Sequence, residues 1–200
     1  ETMAPDEEGV TLTLTNGITL RCQHVVMAAG YESQSWLPES VAINRSSYAL
    51  ITDPLSPEAL GKLRHTMVWE SARPYLYLRT TCDGRLLVGG DDDDEDIPKR
   101  RDARVEEKAQ GLASKVEALW PKLNINPTFS WAGTFAETKD GLPFFGPHEV
   151  HGPRVHFAMA YGGNGISYSM IGAKLLRALI EGEEHPLAEL FSFKRLTKLT

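Results

Sequence analysis

Val155-His-Phe-Ala-Met-Ala-Tyr-Gly-Gly-Asn-Gly165 specifies the architecture around which this chain is built. Its first residues form an apolar run typical of a buried strand, its glycines predict a turn, and 166–181 have the spacing of an amphipathic helix. Because glycine lacks a Cβ atom, a ligand can approach the backbone of this turn. The first N–H groups of the helix have no partners within the helix and carry partial positive charge. We therefore expect the turn to accept an anion or a developing negative charge.

Two strand patterns precede this region. The run from His24 to Gly30 is apolar after its first residue and ends in small residues, which predicts a strand buried on both faces that stops at a glycine turn. The ends of such strands often face ligands in α/β proteins, although a plain buried strand fits the same residues. Upstream, Thr11–Thr15 and Ile18–Arg21 alternate around Asn16-Gly17. This pattern predicts a β-hairpin whose two turn residues both have positive φ.

The middle of the chain predicts a sheet. Tyr75–Thr80 and Arg85–Gly89 flank a turn signal and form a second hairpin. Period-2 spacing places Tyr75, Tyr77 and Arg79 on one face, which either lines a substrate cavity or is ordinary sheet packing. Further strands are predicted at Phe129–Thr134, Phe144-Phe145 and Val155–Ala160.

Two helices and an acidic run complete this pattern. Ser56-Pro57-Glu58 has the order of an N-cap, a first-turn proline and a first-turn acid, so a short helix should run to about His65. Apolar residues from Val105 onwards recur at helical spacing until Pro121, which predicts an amphipathic helix over about 101–120. Asp91–Asp96 lacks the interleaved glycine and distal glutamate of an EF-hand, so a solvated charged loop is favoured over a calcium site. The predicted fold class is α+β, with mixed sheets covered by helices.

Composition limits the classes of partner. The 200 residues include 21 basic and 27 acidic side chains, and the resulting net charge of -6 disfavours binding to nucleic acid or anionic lipid. The two cysteines, Cys22 and Cys82, indicate neither a disulfide framework nor a metal site. No apolar run is long enough to span a bilayer, so we expect a soluble, cytoplasmic protein. The chain begins with Glu1 and no targeting segment, and is interpreted as an excised piece of a longer protein.

Four motifs, taken in order, resemble one enzyme family. They are Val25-Val-Met-Ala-Ala-Gly30, Trp131-Ala-Gly-Thr-Phe-Ala-Glu-Thr-Lys-Asp-Gly-Leu-Pro-Phe-Phe-Gly146, Ala160-Tyr-Gly-Gly-Asn-Gly165 and Leu190-Phe-Ser-Phe-Lys-Arg195. At this separation they resemble the FAD-dependent oxidoreductases of the D-amino-acid oxidase, glycine oxidase and sarcosine oxidase superfamily. The Asp-Gly-Leu-Pro-x-x-Gly block and the Gly-Gly-x-Gly helix are together much more specific than either alone.

The resemblance implies that the chain is the C-terminal half or so of such an enzyme. Residues 1–47 and 136–200 would belong to the FAD-binding domain, and 48–135 would form the substrate-binding sheet and helix. In the family an N-terminal segment with Gly-x-Gly-x-x-Gly holds the ADP part of FAD, and this sequence contains no such motif opening a helix. We therefore expect the chain alone to bind FAD weakly or not at all. The residues implied to contact the cofactor are Ala28, Ala29 and Gly30 near the ADP or ribityl portion, Gly162, Gly163, Asn164, Gly165 and Ile166 near the pyrimidine edge of the isoalloxazine, and Gly133 and Asp140.

Two departures from the family pattern bear on the cofactor and the substrate. Members with covalent flavin attach it through a cysteine at the position of Gly133, so the resemblance implies non-covalent FAD. Members of the glycine oxidase type carry at the position of Phe135 an arginine that binds the substrate carboxylate through a two-pronged ion pair. An amine beside an apolar or extended group is therefore favoured over a simple α-amino acid. Arg79 either supplies the missing charge or is a surface strand residue. The substrate-binding candidates are Tyr75, Tyr77, Arg79, Phe135 and Tyr161.

The activity implied by the resemblance is oxidation of the C–N bond of a small-molecule amine by hydride transfer to flavin N5, with oxygen or another acceptor taking the electrons. Glu137 and His148 are further polar candidates for orienting the amine, and no general base is assigned. Two alternatives stay open. One is a non-catalytic binding or regulatory module of an oxidoreductase assembly. The other is an oxidase domain of an RNA-modifying enzyme, which the acidic charge disfavours.

Overall fold

The computed structural model describes residues 2–198 of the chain. The chain divides into two compact units, unit 1 comprising Glu1–Ile43 and Phe135–Thr200 and unit 2 comprising Asn44–Thr134. The predicted mixture of helices and sheets is confirmed. The predicted domain boundaries fall at 47/48 and 135/136, and the assignment of one domain to FAD and the other to the substrate stays a prediction.

The strands and helices within residues 2–198 follow the chain in this order. The strands are β1 (Thr2–Pro5), β2 (Val10–Thr13), β3 (Thr19–Cys22), β4 (Val25–Met27), β5 (Ile43–Pro54), β6 (Val68–Trp69), β7 (Leu76–Thr80), β8 (Arg85–Asp93), β9 (Pro127–Glu137), β10 (Phe144–Pro147) and β11 (Val155–Met159). The α-helices are α1 (Pro57–Leu60), α2 (Pro98–Ala103), α3 (Val105–Leu119) and α4 (Gly165–Glu181). Among these described residues, no helix is long and apolar enough to cross a membrane.

Unit 1 begins with an antiparallel meander in the order β1-β2-β3. The predicted hairpin of β2 and β3 is confirmed, but the prediction for its turn is wrong. Among residues 14–18 only Gly17 has a positive φ, of 81°. The Gly17 N–H donates to the Leu14 carbonyl, and the Asn16 side chain accepts the N–H of Ile18. The Leu14 N–H donates to the Ile18 carbonyl, so the loop contains the three residues 15–17. A three-residue hairpin loop uses one left-handed residue, whereas the expected two-residue turn uses two.

The second sheet of unit 1 has the order β10-β11-β4, with β10 antiparallel and β4 parallel to β11. On one face Phe145 and Ala158 pack with α4 through Leu175 and Leu176. The predicted helix over 166–181 is confirmed, and it ends at Gly182 in the left-handed conformation common after helices. Helix α4 and the sheet therefore form a close-packed layer pair.

Strand β4 corrects one prediction. It spans three residues and lies at the edge of its sheet within the described part of the chain, and Val26 is 46% exposed. A strand buried on both faces was expected from its apolar residues. An apolar run indicates that a strand is buried. It does not show whether other elements cover one face of the strand or both.

Unit 2 is a sheet in the order β6-β7-β8-β5-β9, whose inner face is covered by α3. The predicted hairpin of β7 and β8 is confirmed. The helix predicted over about 101–120 forms as α2 and α3, which meet at Arg104. Its predicted inward residue Leu119 is 56% exposed. This residue is the last of α3, where the helix ends before Pro121.

Helix α1 is shorter than the pattern predicts. Ser56 caps it as expected, accepting the Ala59 N–H at 3.2 Å. The α-helix ends at Leu60, and Gly61, with φ of 50°, opens a 3-10 helix that runs to His65. The interruption is consistent with glycine's freedom to adopt a left-handed backbone.

The acidic run is only partly a solvated loop. Asp91 and Asp93 end β8, and their side chains are 20% and 19% exposed. The Nζ of Lys108 on α3 lies 2.9 Å from Asp91 and 3.2 Å from Asp93. Asp94 and Asp96 are exposed as predicted. The correction has a tertiary cause, since the lysine that pairs with these carboxylates comes from the helix packed on the sheet. Within residues 2–198 no group of acidic, histidine or cysteine side chains could hold a metal ion.

Candidate functional site

Two glycine-bearing turns lie at the same edge of the β10-β11-β4 sheet. Strands β4 and β11 are parallel neighbours, and Met27 lies opposite Phe157. The carboxyl ends of parallel neighbours meet at one edge, where α/β proteins bind ligands. The pairing therefore brings together 28–30 and 160–165. These two turns form the candidate site.

The turn from β11 into α4 has an unusual backbone. Ala160 is 4% exposed and has a φ of 62°, and Gly162 has a φ of 54°. A left-handed conformation costs a residue with a Cβ about 1–2 kcal/mol, and such strain concentrates at functional sites. A 3-10 helix over Gly162–Asn164 leads into α4, and the Asn164 side chain makes no capping hydrogen bond. The N-terminal amides of α4 thus lack a cap from Asn164, which leaves them suited to an anionic partner.

Both turns present open backbone. Ala28, Ala29, Gly163 and Asn164 are exposed. Gly30 has a φ of 59°, and a Cβ atom built there would meet nothing within 4 Å. Such a surface accepts a ligand that approaches the chain closely.

The residues of the turn fit FAD. Ile166, in the first turn of α4, is 88% exposed and offers apolar surface beside the uncapped amides. Gly165 follows Asn164 and opens the helix. Exposed apolar surface next to amides that have no side-chain cap suits a flat ring that carries hydrogen-bonding atoms along one edge. This is the chemistry of the isoalloxazine ring.

Tyr161 is part of this turn, and Glu137 lies beside it. The Tyr161 ring is 5.6 Å from the Phe145 ring. Burial raises the pKa of Tyr161, so the phenol is neutral at neutral pH. The Cγ of Glu137 lies 4.0 Å from the position of a Cβ at Gly162. Phe135 precedes Glu137 by two residues on β9 and therefore shares its face.

Asp140 serves the fold of unit 1. Its carboxylate lies 2.8 Å from the Nε of Arg195 and accepts a hydrogen bond from Thr138 at 2.9 Å. Burial acts to raise the pKa of Asp140, but hydrogen bonds from the Leu142 N–H, Thr138 and Arg195 outweigh burial and hold it below its ordinary value. All of these partners belong to the protein, and they tie the 138–142 turn to the C-terminal segment.

His148 is not brought to the two turns. It follows β10, whose Pro147 lies opposite His156 at the start of β11. The His148 ring is 3% exposed, and its Nε2 is 2.9 Å from Glu39 Oε1. It therefore lies at the opposite edge of the sheet from the glycine turns, and the structure does not support a role for it there.

The remaining predicted residues belong to unit 2. The Tyr75 and Tyr77 rings are 6.1 Å apart, and Arg79 is exposed. Gly133 on β9 is exposed, and a Cβ there would meet nothing within 4 Å. Tyr77 and Arg79 lie on the face of the sheet that α3 leaves uncovered, as the strand spacing predicts, whereas Tyr75 precedes β7.

Sequence reasoning missed two features of these sites. Nothing in the composition of the β11 run indicates that Ala160 adopts a left-handed backbone. Gly89 also went unnoticed as the neighbour of Tyr77 across the sheet. The doublet Gly89-Gly90 inside a strand pattern was an available signal, since glycine in a strand marks a bulge or a close approach.

The comparisons with known proteins agree with this geometry. A family model described as FAD dependent oxidoreductase (DAO) matches residues 2–179. The chain is 25% identical over 162 residues to the "Probable oxidoreductase OrdL" of Haemophilus influenzae, a match that covers 76% of this chain and 35% of that protein. The chain therefore spans about a third of the length of this curated relative.

Solved structures show the same fold. Glycine oxidase from Geobacillus kaustophilus matches with a TM-score of 0.77 and 24% identity, over 96% of this chain and 50% of that one. Iminodiacetate oxidase from Chelativorans sp. BNC1 matches with a TM-score of 0.75 and 17% identity, over 96% and 51%. L-proline dehydrogenase from P. horikoshii matches with a TM-score of 0.74 and 16% identity, over 99% and 53%. The chain spans about half the length of each. Since the family model covers most of its residues, the chain belongs to the DAO family of FAD-dependent oxidoreductases.

Proposed function

We propose that this chain supplies flavin-binding and substrate-binding parts of an oxidoreductase that oxidises the C–N bond of an amine or amino-acid-like substrate. The observation that supports the proposal most is the turn between β11 and α4, where left-handed Ala160 and Gly162 lead into a helix without a side-chain cap. Membership of the DAO family supports FAD as the cofactor. The names glycine oxidase and iminodiacetate oxidase among the similar structures support the amine class.

The residues of unit 1 have distinct roles in this proposal. FAD, when bound, supplies the two-electron acceptor. The first amides of α4 would stabilise negative charge at the edge of the ring, Gly162 would allow the backbone to approach that edge, and Gly30 would do the same at the ADP or ribityl portion. Tyr161, neutral at neutral pH, donates or accepts a hydrogen bond toward the substrate. FAD is held without a covalent bond, because Gly133 has no thiol.

The substrate is an amine with an apolar or extended group. Phe135 offers an apolar side chain where an arginine would bind a carboxylate. Tyr75, Tyr77 and Arg79 supply the polar and aromatic contacts of the substrate sheet, and oxygen or another acceptor takes the electrons. Proton transfer to a protein base is not required for hydride transfer from a neutral amine.

Anaerobic reduction of the flavin tests the proposal. Because the chain spans about half of its solved relatives, the test uses the full-length protein that contains it. Amino acids, N-methyl amino acids and polyamine derivatives are added in turn while flavin absorbance is followed, with the corresponding carboxylic acids as controls. Bleaching by one class of amine is the expected result. Bound flavin that no amine bleaches contradicts amine oxidation, and the 200-residue chain alone, proposed to bind FAD weakly or not at all, serves as the second control.

A glycine pair tests where the cofactor binds. Gly162→Val in the full-length protein is expected to weaken FAD binding at least about tenfold, equivalent to about 1.4 kcal/mol, because the side chain projects into the space of the ring. Gly152→Val is the matched control. Its φ of 71° is also positive, and a Cβ there meets nothing within 4 Å, but it lies in the loop before β11. Equal loss of FAD in both variants, measured by titration of the apoprotein, would place the ring elsewhere.

A further inference from the structure

The uncovered face of the unit 2 sheet carries a tyrosine laid across a glycine. Tyr77 on β7 pairs with Gly89 on β8, and Gly89 pairs with Ala49 on β5. Residues directly opposite each other in antiparallel strands project from the same face. The adjacent Leu78 and Val88 project from the other face into the core formed with α3. Tyr77, Gly89 and Ala49 therefore share the outer face.

Gly89 leaves the space that the Tyr77 ring occupies. A Cβ atom at Gly89 would lie 2.3 Å from both Cζ and Oη of Tyr77 and 2.8 Å from Cε2. Non-bonded atoms do not approach so closely, so the tip of the ring fills the volume of any side chain at 89. Gly90, by contrast, has a positive φ of 129°, whereas Gly89 does not have a left-handed backbone. Glycine is thus required at 89 by space and not by conformation.

Ser47 lies near the far end of the ring, where its hydroxyl acts to lower the pKa of the Tyr77 phenol. Ser47 precedes Ala49 by two residues on β5 and shares its face. The side chain of Tyr77 therefore extends from β7 across β8 to β5. Burial and the nearby carboxylate of Asp92 raise the pKa of the Tyr77 phenol more than Ser47 lowers it, so that the pKa lies above its ordinary value.

We propose that Gly89 and Ser47 are positioning residues that hold Tyr77 flat across the sheet, and that Tyr77 in this position limits the size of the apolar group on the amine substrate. The proposal rests on the proposed function, which assigns substrate binding to this sheet. A flat ring covers the backbone of β8 and leaves no recess there. Without the ring, the face has a trough floored by Gly89 and Ala49, whose side chains are absent or a single methyl group.

Titration of the phenol tests the positioning without any turnover. In the full-length protein, Ser47→Ala is expected to raise the pKa of Tyr77 because the hydroxyl that acts to lower it is lost. Gly89→Ala is expected to lower the pKa toward its ordinary value, because the methyl group displaces the ring into water. Ultraviolet difference titration measures both, and Tyr77→Phe identifies the signal. Shifts in opposite directions support the proposal, whereas no shift, or shifts in the same direction, overturn it.

A double variant tests the space at Gly89 if Gly89→Ala alone does not fold. The atoms that a Cβ at Gly89 meets are the far end of a side chain, so Gly89→Ala should fold with the ring swung out. If it does not fold, Gly89→Ala is made in the Tyr77→Ala background, where the space is empty. There it is expected to leave the melting temperature of Tyr77→Ala unchanged or slightly higher, because alanine restricts the unfolded chain more than glycine does. A lower melting temperature for the double variant than for Tyr77→Ala would show that another group occupies the space, and it would overturn the proposal.

Substrate profiles in the full-length enzyme test the size limit. Tyr77→Ala and Gly89→Ala are each expected to raise kcat/KM for an amine with a bulky apolar group, relative to a small one, by about tenfold or more. An unchanged ratio overturns the size limit while the phenol titration still reports on positioning. If the unmodified enzyme oxidises no amine, the proposed function fails and the size limit fails with it, and the titration shows separately whether Gly89 and Ser47 hold the ring.

Discussion

Replacing Gly172 by alanine is expected to lower the free energy of unfolding of unit 1 by about 2–3 kcal/mol, in the upper range for an overpacked core. A Cβ atom at Gly172 in α4 would lie 2.1 Å from Cε1 and 2.4 Å from Cζ of Phe145. The Phe145 ring is 1% exposed and is held by rings 5.6 Å away on both Tyr161 and Phe191. It cannot move aside without displacing these neighbours. Urea unfolding followed by circular dichroism measures the loss.

Gly111 provides the matched control. It also lies inside a helix, α3, but a Cβ there would meet nothing within 4 Å. Gly111→Ala is expected to raise the free energy of unfolding of unit 2 by about 0.5–1 kcal/mol, since alanine is the better helix former. The same chemical change thus has opposite signs at two helical positions. Stabilisation by Gly172→Ala would contradict the close packing of α4 on the sheet.

Arg195→Met is the second large effect, with an expected loss of about 2–4 kcal/mol. The Arg195 side chain is 9% exposed, and its guanidinium lies 3.7 Å from the centroid of the Phe144 ring. It bonds the Asp140 carboxylate and donates to the carbonyl oxygens of Leu142 and Leu190. Methionine keeps most of the apolar contact and removes every donor. The loss therefore reports the removal of a charged donor from these partly buried acceptors, and thermal unfolding measures it.

Arg177→Met is the control for this variant. Arg177 is 77% exposed and pairs with Glu181 one helical turn away, so its loss is expected to cost less than about 0.5 kcal/mol. A similar loss of stability in both variants would show that burial of the Arg195–Asp140 pair does not contribute to stability.

The effect of Arg195→Met depends on pH. The pKa of Asp140 in the folded protein lies below its ordinary value of 3.8, so the folded state binds this proton less readily than the unfolded state does. The stabilisation is present above pH 3.8 and is lost as the pH falls below that value. The difference in stability between the wild-type protein and Arg195→Met is therefore expected to be largest near neutral pH and to shrink in acid. A difference in stability that stays constant from neutral to acid pH would show that ionisation of Asp140 does not contribute to it.

Local signals in the sequence predicted the individual elements well. The hairpin of β2 and β3, the hairpin of β7 and β8, and helix α4 form where the residues predict them. Each depends on a periodic pattern and on turn or cap residues within a few positions, so the information is contained in the segment itself. The family resemblance singled out 28–30 and 160–165, and their common place at one sheet edge follows from the parallel pairing of β4 and β11.

The sequence by itself determined the mixed α and β class, the glycine turn before α4 and membership of an FAD-dependent family, because these depend on short motifs in a fixed order. Only the tertiary structure decided that Ala160 is left-handed, that Asp91 pairs with Lys108, and that Gly89 is the floor beneath Tyr77. Each of these features joins segments that are far apart in the chain or follows from the path that such packing imposes on the backbone. The residues next to a position in the sequence do not indicate which distant side chain packs against that position in the fold.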